Sequence, residues 1–432
     1  MKQLFAIIIT LLCSLGPAQA QTVYDIIKKK PAYASCNYDT YPDSIPNNLT
    51  APPPGKRPFY ISHYGRHGSR YINKRSGYEI PYKMMVMAYE VRELTAIGDR
   101  VLNEMDMILE DSEDRWGDLT PLGRQQHRLI TRRMYRRFPE VFADSVCVTA
   151  RSTVVPRCIL SMETAMMELA QQNPRLNITM DASKSTQWYM NYQDPKLRRS
   201  KLTPEAQKAY DKYTASRMGN SRLMEMLFKN PDIVKELVDE SYFNYYLMKM
   251  GLFQQNTHLW ENTYLTDLFT TEDLYRMWQI DNALWYLQYG FCPLNGGNYP
   301  YSQRHLLRQI IADADSCIRL DHPGAQLRFG HETVLLPLIC LIGINGYDLR
   351  TTDLDEIEAK GWWSSSVFPM GANVQFIFYR RDPKDKDVIF KVLLNEQEAQ
   401  LPIFTDCAPY YHWRDFRRYC LKKLDRYEKL RN

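Results

Sequence analysis

The sequence predicts an α/β fold, in which a three-layer α/β/α core surrounds a mainly parallel sheet and carries an α-helical cap domain. An apolar, strand-like run at residues 58–62 ends near a glycine, and a helical pattern follows it. Between residues 171 and 310 strand signals thin out and helical patterns dominate, and strands return afterwards. We therefore expect one discontinuous core, residues 56–170 and 311–432, with the cap inserted at 171–310.

The N-terminus has the pattern of a secretory signal peptide, predicted for residues 1–20. Lys2 forms a short positive head, residues 4–15 are apolar, and Ala18 and Ala20 occupy the small-residue positions before a cleavage site. The apolar run is too short for a membrane span. We expect cleavage near Ala20 and a periplasmic or secreted product, with a lipidated form as the less favoured alternative.

Residues 21–55 are rich in Tyr, Pro and Asn and are predicted to form an extended leader on the domain surface. After residue 55 the sequence contains clearer signals for helices and strands. Thr120 and Pro121 are a helix cap and a first-turn proline, which predict a helix over 122–138. A short strand is predicted at 146–149. The remaining predictions are cap helices at 204–218, 222–237, 271–288 and 302–320, a core helix at 333–344, and strands at 326–329, 374–380 and 388–394.

The composition is that of a globular protein with room for a large core: 44% of residues are hydrophobic and 24% are charged. The net charge of +5 is too small to argue for a nucleic-acid partner, but it does not oppose a polyanionic small molecule. Nine cysteines are present, and Cys13 lies in the signal peptide. The others can form disulfides in an exported chain, and Cys147 and Cys340 are predicted to be buried thiols. No Cys/His spacing fits a zinc site, so no metal or cofactor is predicted. The oligomeric state is left open.

The segment RPFYISHYGRHGSRY, residues 57–71, combines a strand with a cationic turn. The strand breaks at Gly65, and Arg66, His67 and Arg70 follow within five positions. Free backbone N–H groups at the end of such a strand suit an anion, and guanidinium groups match phosphate oxygens in a planar fork. On these residues alone a solvated surface turn is the alternative, since short motifs recur by chance.

The Arg-His-Gly-x-Arg pattern after a strand resembles the signature of the histidine phosphatase superfamily. The chain is most similar to its histidine acid phosphatase branch, which includes phytases and multiple inositol polyphosphate phosphatases. Four later stretches follow the order of that branch's motifs: GDLTPLGRQQH (117–127), RSTVVPRCILSMET (151–164), RFGHETVLLPL (328–338) and GANVQFIFY (371–379). The resemblance covers most of the chain outside 170–310, and it implies a metal-free phosphomonoesterase.

The resemblance also implies roles for individual residues. It makes His67 the nucleophile that becomes a phosphohistidine, with Arg66 and Arg70 holding the phosphoryl group. Arg157 corresponds to the third phosphate-binding arginine, and Arg151 takes a supporting place in substrate binding. We expect the nearby positive charge to keep His67 neutral by lowering its pKa.

A second half-site follows a later strand at His331 and Glu332. The resemblance makes His331 a second phosphate ligand and Glu332 the proton donor. Acid phosphatases read His-Asp here and inositol polyphosphate phosphatases read His-Ala-Glu, whereas this chain reads His-Glu-Thr. An ungapped alignment puts Glu332 where the aspartate stands and Thr333 where the later glutamate stands.

These features predict an exported phosphomonoester hydrolase acting on a small-molecule phosphate ester of the inositol polyphosphate (phytate) type. A broad acid phosphatase or sugar-1-phosphatase is the nearest alternative, and mutase chemistry is less favoured. A non-catalytic protein that captures phosphorylated glycans is an alternative of another class. The basic stretch KLRRSK (196–201) in the cap is expected either to meet outer phosphates or to be a solvated loop.

Overall fold

The computed structural model of the chain describes residues 22–218 and 221–431. Within these ranges one sheet of eight strands forms the core. The strands are β1 (Arg57–Arg66), β2 (Cys147–Ser152), β3 (Asn177–Asp181), β4 (Gly324–Gly330), β5 (Asn373–Arg380), β6 (Ile389–Leu394), β7 (Gln397–Ala399) and β8 (Tyr411–His412).

The sheet has a parallel half and an antiparallel half. Its order is β3-β2-β4-β1-β5-β6-β7, and β8 pairs with β6. The first four strands are parallel, whereas β5, β6, β7 and β8 join by antiparallel pairing. Asn395 and Glu396, both at positive φ, form the two-residue turn between β6 and β7, and such a short connection requires antiparallel strands. The predicted α/β class is confirmed, with parallel pairing in the core.

Helices cover both faces of the sheet and build the cap. The α-helices are α1 (Val23–Lys29), α2 (Ser76–Glu90), α3 (Ala96–Ser112), α4 (Pro121–Arg137), α5 (Pro156–Gln172), α6 (Lys184–Met190), α7 (Pro195–Arg199), α8 (Pro204–Ala215), α9 (Ser221–Leu227), α10 (Pro231–Leu237), α11 (Glu240–Phe253), α12 (Thr271–Tyr289), α13 (Arg304–Cys317), α14 (Glu332–Ile342), α15 (Ser364–Val367) and α16 (Trp413–Arg431). Short 3-10 helices occur at Pro31–Tyr38, Pro139–Phe142, Gln254–Asn256, His258–Asn262, Leu265–Leu268, Pro293–Asn295, Tyr299–Gln303 and Ile344–Gly346.

The core lies on both faces of the sheet because successive side chains of a strand point to opposite sides. Ile61 of β1 joins a buried apolar cluster with residues of α4 and α5. Its neighbours Tyr60 and Tyr64 join a second cluster, which includes residues of α13, α14 and α16 and extends into the cap. This arrangement gives the three layers that the sequence predicted.

Proline and capping residues set several helix boundaries. The hydroxyl of Thr120 accepts the N–H of Gly123 at 3.3 Å, and α4 begins at Pro121 as expected. The single helix predicted over 222–237 is wrong, because the chain divides it into α9 and α10. Pro231 opens α10, and a proline disfavours the helical conformation of the residue before it.

The N-terminal segment differs from the extended leader predicted for 21–55. Thr22 and Asp25 form a reciprocal capping box that starts α1. The 3-10 helix Pro31–Tyr38 then packs against α11 and α12, with Tyr33 and Cys36 buried. Residues 23–38 are therefore helical and packed against the cap, whereas residues 39–55 form no helix or strand and are mostly exposed, as the extended leader predicted.

Two other predictions need correction. Strand β3 lies within the predicted cap region 171–310, yet it pairs with β2 in the core sheet, so the core extends to Asp181. Cys147 is exposed rather than buried, whereas Cys340 is buried as predicted. All eight cysteines in the described ranges are free thiols.

The predicted signal peptide, residues 1–20, lies outside the described residues. In residues 22–218 and 221–431, none of the helices has the length and apolar character needed to cross a membrane.

Candidate active site

The predicted site residues meet where two parallel strands end side by side. Strands β1 and β4 are in register so that Arg66 lies opposite Gly330. The N–H of His67 donates to the carbonyl oxygen of Gly330 at 3.0 Å. The ring centroids of His67 and His331 are consequently 5.8 Å apart. Carboxyl ends of parallel strands are the usual place for a ligand in α/β proteins.

His67 is held with one ring nitrogen free. Its Nδ1 lies 2.8 Å from the carbonyl oxygen of Gly68, which can only accept a hydrogen bond, so Nδ1 carries the proton. Burial lowers the pKa of His67 well below its usual 6.5, and Arg66 and Arg157 lower it further against the opposing effect of Glu332. The neutral ring thus leaves a lone pair on Nε2, which has no hydrogen-bond partner among the described residues.

Arg66 is buried and fixed by backbone oxygens. Its Nη1 donates to the carbonyl of Asn37 at 2.6 Å and to that of Phe368 at 2.5 Å. Its Nε lies 3.1 Å from Oε2 of Glu332, although outside hydrogen-bond geometry. Burial lowers the pKa of Arg66 to about 10, so the group stays cationic at neutral pH. Its Nη2 has no hydrogen-bond partner in the described part of the chain.

Arg70 and Arg157 add two more guanidinium groups. Arg70 is buried, its Nη1 donates to the carbonyl of Tyr71 at 2.8 Å, and its Nε has no partner in the described ranges. Arg157, in the first turn of α5, also has an unpartnered Nε, and burial followed by repulsion from Arg70 lowers its pKa. Burying unsatisfied cationic donors is costly, so three of them around one histidine indicate a site built for an anion.

A glycine leaves room for Arg157. A Cβ on Gly117 would lie 3.4 Å from Nη1 of Arg157 and 3.3 Å from Oδ1 of Asn73. Gly117 also has a φ of +79°, which side-chain-bearing residues rarely adopt. The GDLTPLG motif therefore contributes to the site by making space beside a guanidinium group.

His331 caps α14 and faces the same space. Its Nε2 lies 3.2 Å from Oγ1 of Thr153, and its backbone N–H donates to the hydroxyl of Tyr64 at 3.3 Å. Burial lowers the pKa of His331 to about 4, so the ring is neutral near pH 7. The contact with Thr153 shows how the Arg-Ser-Thr motif reaches the second half-site.

Glu332 is the first residue of α14 and lies across from His67. Its Oε2 is 3.6 Å from Nε2 of His67. Burial alone would raise the pKa of Glu332, but Arg66, His67 and Arg70 together hold it well below its usual value. The carboxyl group is therefore ionised in the free protein, where it pairs with Arg66.

Arg151 is the one predicted residue that the structure does not bring to this group. Its Nη1 lies 3.4 Å from the hydroxyl of Tyr189 and 3.9 Å from Oδ2 of Asp313. Arg328, opposite Arg151 on β4, also pairs with Asp313, at 2.5 Å. A role for Arg151 in substrate binding stays a prediction.

Sequence reasoning missed several groups that shape the site. One of them stands within a recognised motif, and the others have no feature in the sequence that could have identified them. Thr153 stands inside RSTVVPR, so its place beside His331 was available from the motif. The carbonyl groups of Asn37 and Phe368, which hold Arg66, carry no signal, because any residue has a carbonyl.

A divalent metal fits this site poorly, although three ligand types are present. The donor atoms of His67, His331 and Glu332 all lie within 4.8 Å of one another. Three guanidinium groups surround them, however, and their repulsion opposes a dication while it favours a phosphate. The charge of the site therefore suits an anion, and the absence of a metal from the chemistry stays a prediction.

The fold resembles solved phosphatases. The structure of the Bifidobacterium longum multiple inositol polyphosphate phosphatase in complex with inositol hexasulfate matches with a TM-score of 0.71 at 17% identity, covering 88% of this chain and 96% of that one. The phytase from D. castellii matches with a TM-score of 0.65 at 13% identity, covering 91% and 85%. At these identities the likeness shows the fold alone. No curated protein matches the chain in sequence.

A family comparison extends this likeness to the sequence itself. The sequence model of the histidine phosphatase superfamily (branch 2) matches residues 65–395, a span that begins near the end of β1 and ends just after β6. This span contains Arg66, His67, Arg70, Arg157 and the His331–Glu332 pair. The chain therefore belongs to branch 2 of the histidine phosphatase superfamily.

Proposed function

We propose that the protein is an exported phosphomonoester hydrolase that acts on inositol polyphosphates through a phosphohistidine at His67. The observation that carries the proposal is the free Nε2 of His67, which lies among three guanidinium groups with unpartnered donors and 3.6 Å from a carboxylate. A nucleophile, charge stabilisation and a proton donor are the three things that phosphate monoester hydrolysis needs.

Binding of the phosphate dianion prepares the acid. The phosphate oxygens accept the free N–H groups of Arg66, Arg70 and Arg157 and compete with Glu332 for positive charge. A nearby dianion also disfavours a second negative charge, so the pKa of Glu332 rises when substrate binds. The carboxyl group then takes up a proton and becomes a general acid.

The reaction follows in two displacements. Nε2 of His67 attacks phosphorus, an N–P bond forms, the ester O–P bond breaks, and Glu332 gives its proton to the leaving alkoxide. Water then attacks the phosphohistidine while the Glu332 carboxylate takes a proton from it. The N–P bond breaks, inorganic phosphate leaves, and His67 is neutral again.

A cation in the cap supports a polyphosphorylated substrate. Nζ of Lys201 lies 3.4 Å from the ring centroid of Tyr289, and no carboxylate of the described residues pairs with it. Burial, followed by Arg198, lowers the pKa of Lys201 to about 7. Burial, followed by Tyr299 and then the negative charge of Glu332, raises the pKa of Tyr289, and the effect of Glu332 supports a place for this ring beside the site. Lys201 is therefore suited to a second phosphate on the same substrate.

The test is phosphate release from phytate and from p-nitrophenyl phosphate with chelator present. We expect His67→Ala to abolish release from both substrates, while His322→Ala, which alters an exposed histidine, keeps activity. Mass spectrometry after an acid-free quench should find phosphate on His67. Tight phytate binding without release would instead indicate a capture protein, and undiminished release by His67→Ala would rule out this nucleophile.

A matched pair of lysine variants tests the substrate class. We expect Lys201→Met to raise KM for phytate by roughly tenfold, because a charge-assisted hydrogen bond contributes about 1.5 kcal/mol. KM for p-nitrophenyl phosphate, which has one phosphate, should not change. Lys196→Met alters an exposed lysine of the same stretch and serves as the control. Equal changes with both substrates would favour a broad acid phosphatase or sugar-1-phosphatase.

Export is tested separately. The secreted or periplasmic fraction should contain protein whose N-terminal residue is Gln21, as read by mass spectrometry. Protein that retains Met1 and stays in the cytosolic fraction would contradict the signal peptide without affecting the proposed chemistry.

A further inference from the structure

A second group of metal-ligating side chains lies near the C-terminus, outside the active site. Asp406 and Cys407 belong to the loop between β7 and β8, and His412 ends β8. One donor atom from each of these three residues lies within 4.8 Å of the other two. In a tetrahedral zinc site with bonds of 2.0–2.3 Å, neighbouring donor atoms are about 3.5 Å apart. Small side-chain rotations would therefore bring the three donors to zinc-binding distances.

His412 is already oriented as a metal ligand. Its Nδ1 lies 2.9 Å from Oδ1 of Asp387, and its Nε2 lies 2.9 Å from Oδ1 of Asp406. A histidine that binds a metal through one nitrogen usually donates the other N–H to a carboxylate, which fixes the tautomer. Asp387 is in place for that role, and it is held in turn by Lys56 at 3.1 Å.

The sulfur completes a donor set with a definite preference. Sγ of Cys407 lies 3.6 Å from the carbonyl oxygen of Tyr410 and 3.4 Å from the hydroxyl of Thr405, so the thiol faces the inside of the loop. Thiolate and imidazole ligands select zinc over magnesium or calcium, which prefer oxygen alone. The two carboxylates nearby favour a cation over an anion.

We propose that Asp406, Cys407 and His412 bind one zinc ion, with His412 coordinating through Nε2, Asp387 supporting its Nδ1–H, and water in the fourth position. Binding replaces the thiol proton of Cys407 and the Nε2 proton that His412 donates to Asp406, and both protons leave to solvent. The ion would join the loop to β8. Through Asp387, which lies two positions before β6, it would also tie the loop to the start of that strand. Its effect is therefore on the stability of this edge of the sheet and not on phosphate hydrolysis.

The spacing of the ligands explains why sequence reasoning predicted no zinc site. Cys407 and His412 are five positions apart in a loop without a second Cys or His nearby, and the usual structural sites repeat closely spaced pairs. Asp387 joins them only because β8 pairs with the start of β6, where His412 lies opposite Ile389.

Cobalt(II) is a suitable spectroscopic probe for this zinc site. The full protein, produced without a histidine tag and stripped with chelator, is titrated with Co²⁺ and then with Zn²⁺. We expect one equivalent of Co²⁺ to give a sulfur-to-cobalt charge-transfer band in the near ultraviolet, and Zn²⁺ to remove it. Cys407→Ser should abolish the band, and Cys147→Ser, which alters an exposed thiol elsewhere, should keep it.

Stability and affinity give independent measurements. Zinc should raise the melting temperature of the wild-type protein and of Cys147→Ser, but not that of Cys407→Ser or His412→Gln. Asp387→Asn should weaken zinc binding by roughly tenfold or more. Phosphatase activity should be the same in Cys407→Ser as in the wild type. A wild-type protein with no cobalt band would show that His412 and its two aspartates form only a salt-bridge network. A band that survives Cys407→Ser would show that another thiol binds the metal, and it would also overturn the proposal.

Discussion

Glu332→Gln separates acid catalysis from phosphate binding. The amide keeps the volume of the buried side chain but has no proton to transfer to a leaving group. General acid catalysis typically contributes 10²–10⁴-fold, or about 2.7–5.4 kcal/mol. Alkoxide leaving groups need the proton and p-nitrophenolate does not. We therefore expect kcat for phytate to fall by at least about 10²-fold and kcat for p-nitrophenyl phosphate to fall by less than about tenfold.

The geometry of the site predicts a second effect in the opposite direction. Oε2 of Glu332 lies 3.1 Å from Nε of Arg66, so the carboxylate forms an ion pair with a guanidinium group that would otherwise bind the phosphate. Removing its charge frees the arginine, and an ion pair at a partly screened site contributes about 1–2 kcal/mol. Inorganic phosphate should therefore inhibit Glu332→Gln roughly tenfold more strongly than the wild type.

The assay compares initial rates on both substrates, phosphate inhibition constants and thermal melts for wild type, Glu332→Gln and Glu332→Asp. The aspartate variant keeps an ionisable group and should retain part of the activity on phytate. Equal losses of kcat on the two substrates by a folded Glu332→Gln protein would refute the proton-donor role. Unchanged inhibition by phosphate would refute the competition between Glu332 and the bound anion.

Three further predictions concern protonation and packing. Because burial holds the pKa of His67 well below 6.5, kcat/KM for p-nitrophenyl phosphate should show no loss centred near pH 6.5, and the acidic limb of its pH profile should lie well below that value. The pKa of His127 is lowered to about 4 by burial, so its contribution to stability is complete above pH 6.5 and is lost as pH falls towards 4. The free energy of unfolding of the wild type should therefore fall between pH 6.5 and pH 5, and about 2 kcal/mol of that fall should come from His127. In urea unfolding, His127→Gln should show a fall that is smaller by this amount. Finally, a Cβ on Gly68 would lie 2.4 Å from the carbonyl oxygen of Gly123, so Gly68→Ala should cost about 1–3 kcal/mol and lower the melting temperature.

Local signals in the sequence predicted the elements around the site. The apolar run before Gly65 is β1, the Thr120–Pro121 pair starts α4, and His331 and Glu332 stand at the junction of β4 and α14. Such signals work because caps, proline and strand periodicity act within a few residues. The predicted nucleophile His67 and two of its arginines, Arg66 and Arg70, could be identified for the same reason, since they stand within five positions of each other.

Contacts between distant segments decided the features of the site and of the core that local signals did not predict. The chain alone does not reveal that the carbonyl groups of residues 37 and 368 fix Arg66, that Arg151 contacts Asp313 and Tyr189, or that residues 23–38 pack against the cap. The residue types, and with them the class of chemistry, were determined by the sequence. Whether His67 is neutral, whether Glu332 is charged and which guanidinium groups are free were decided by the tertiary structure, because burial and the proximity of charges exist only after the strands pair.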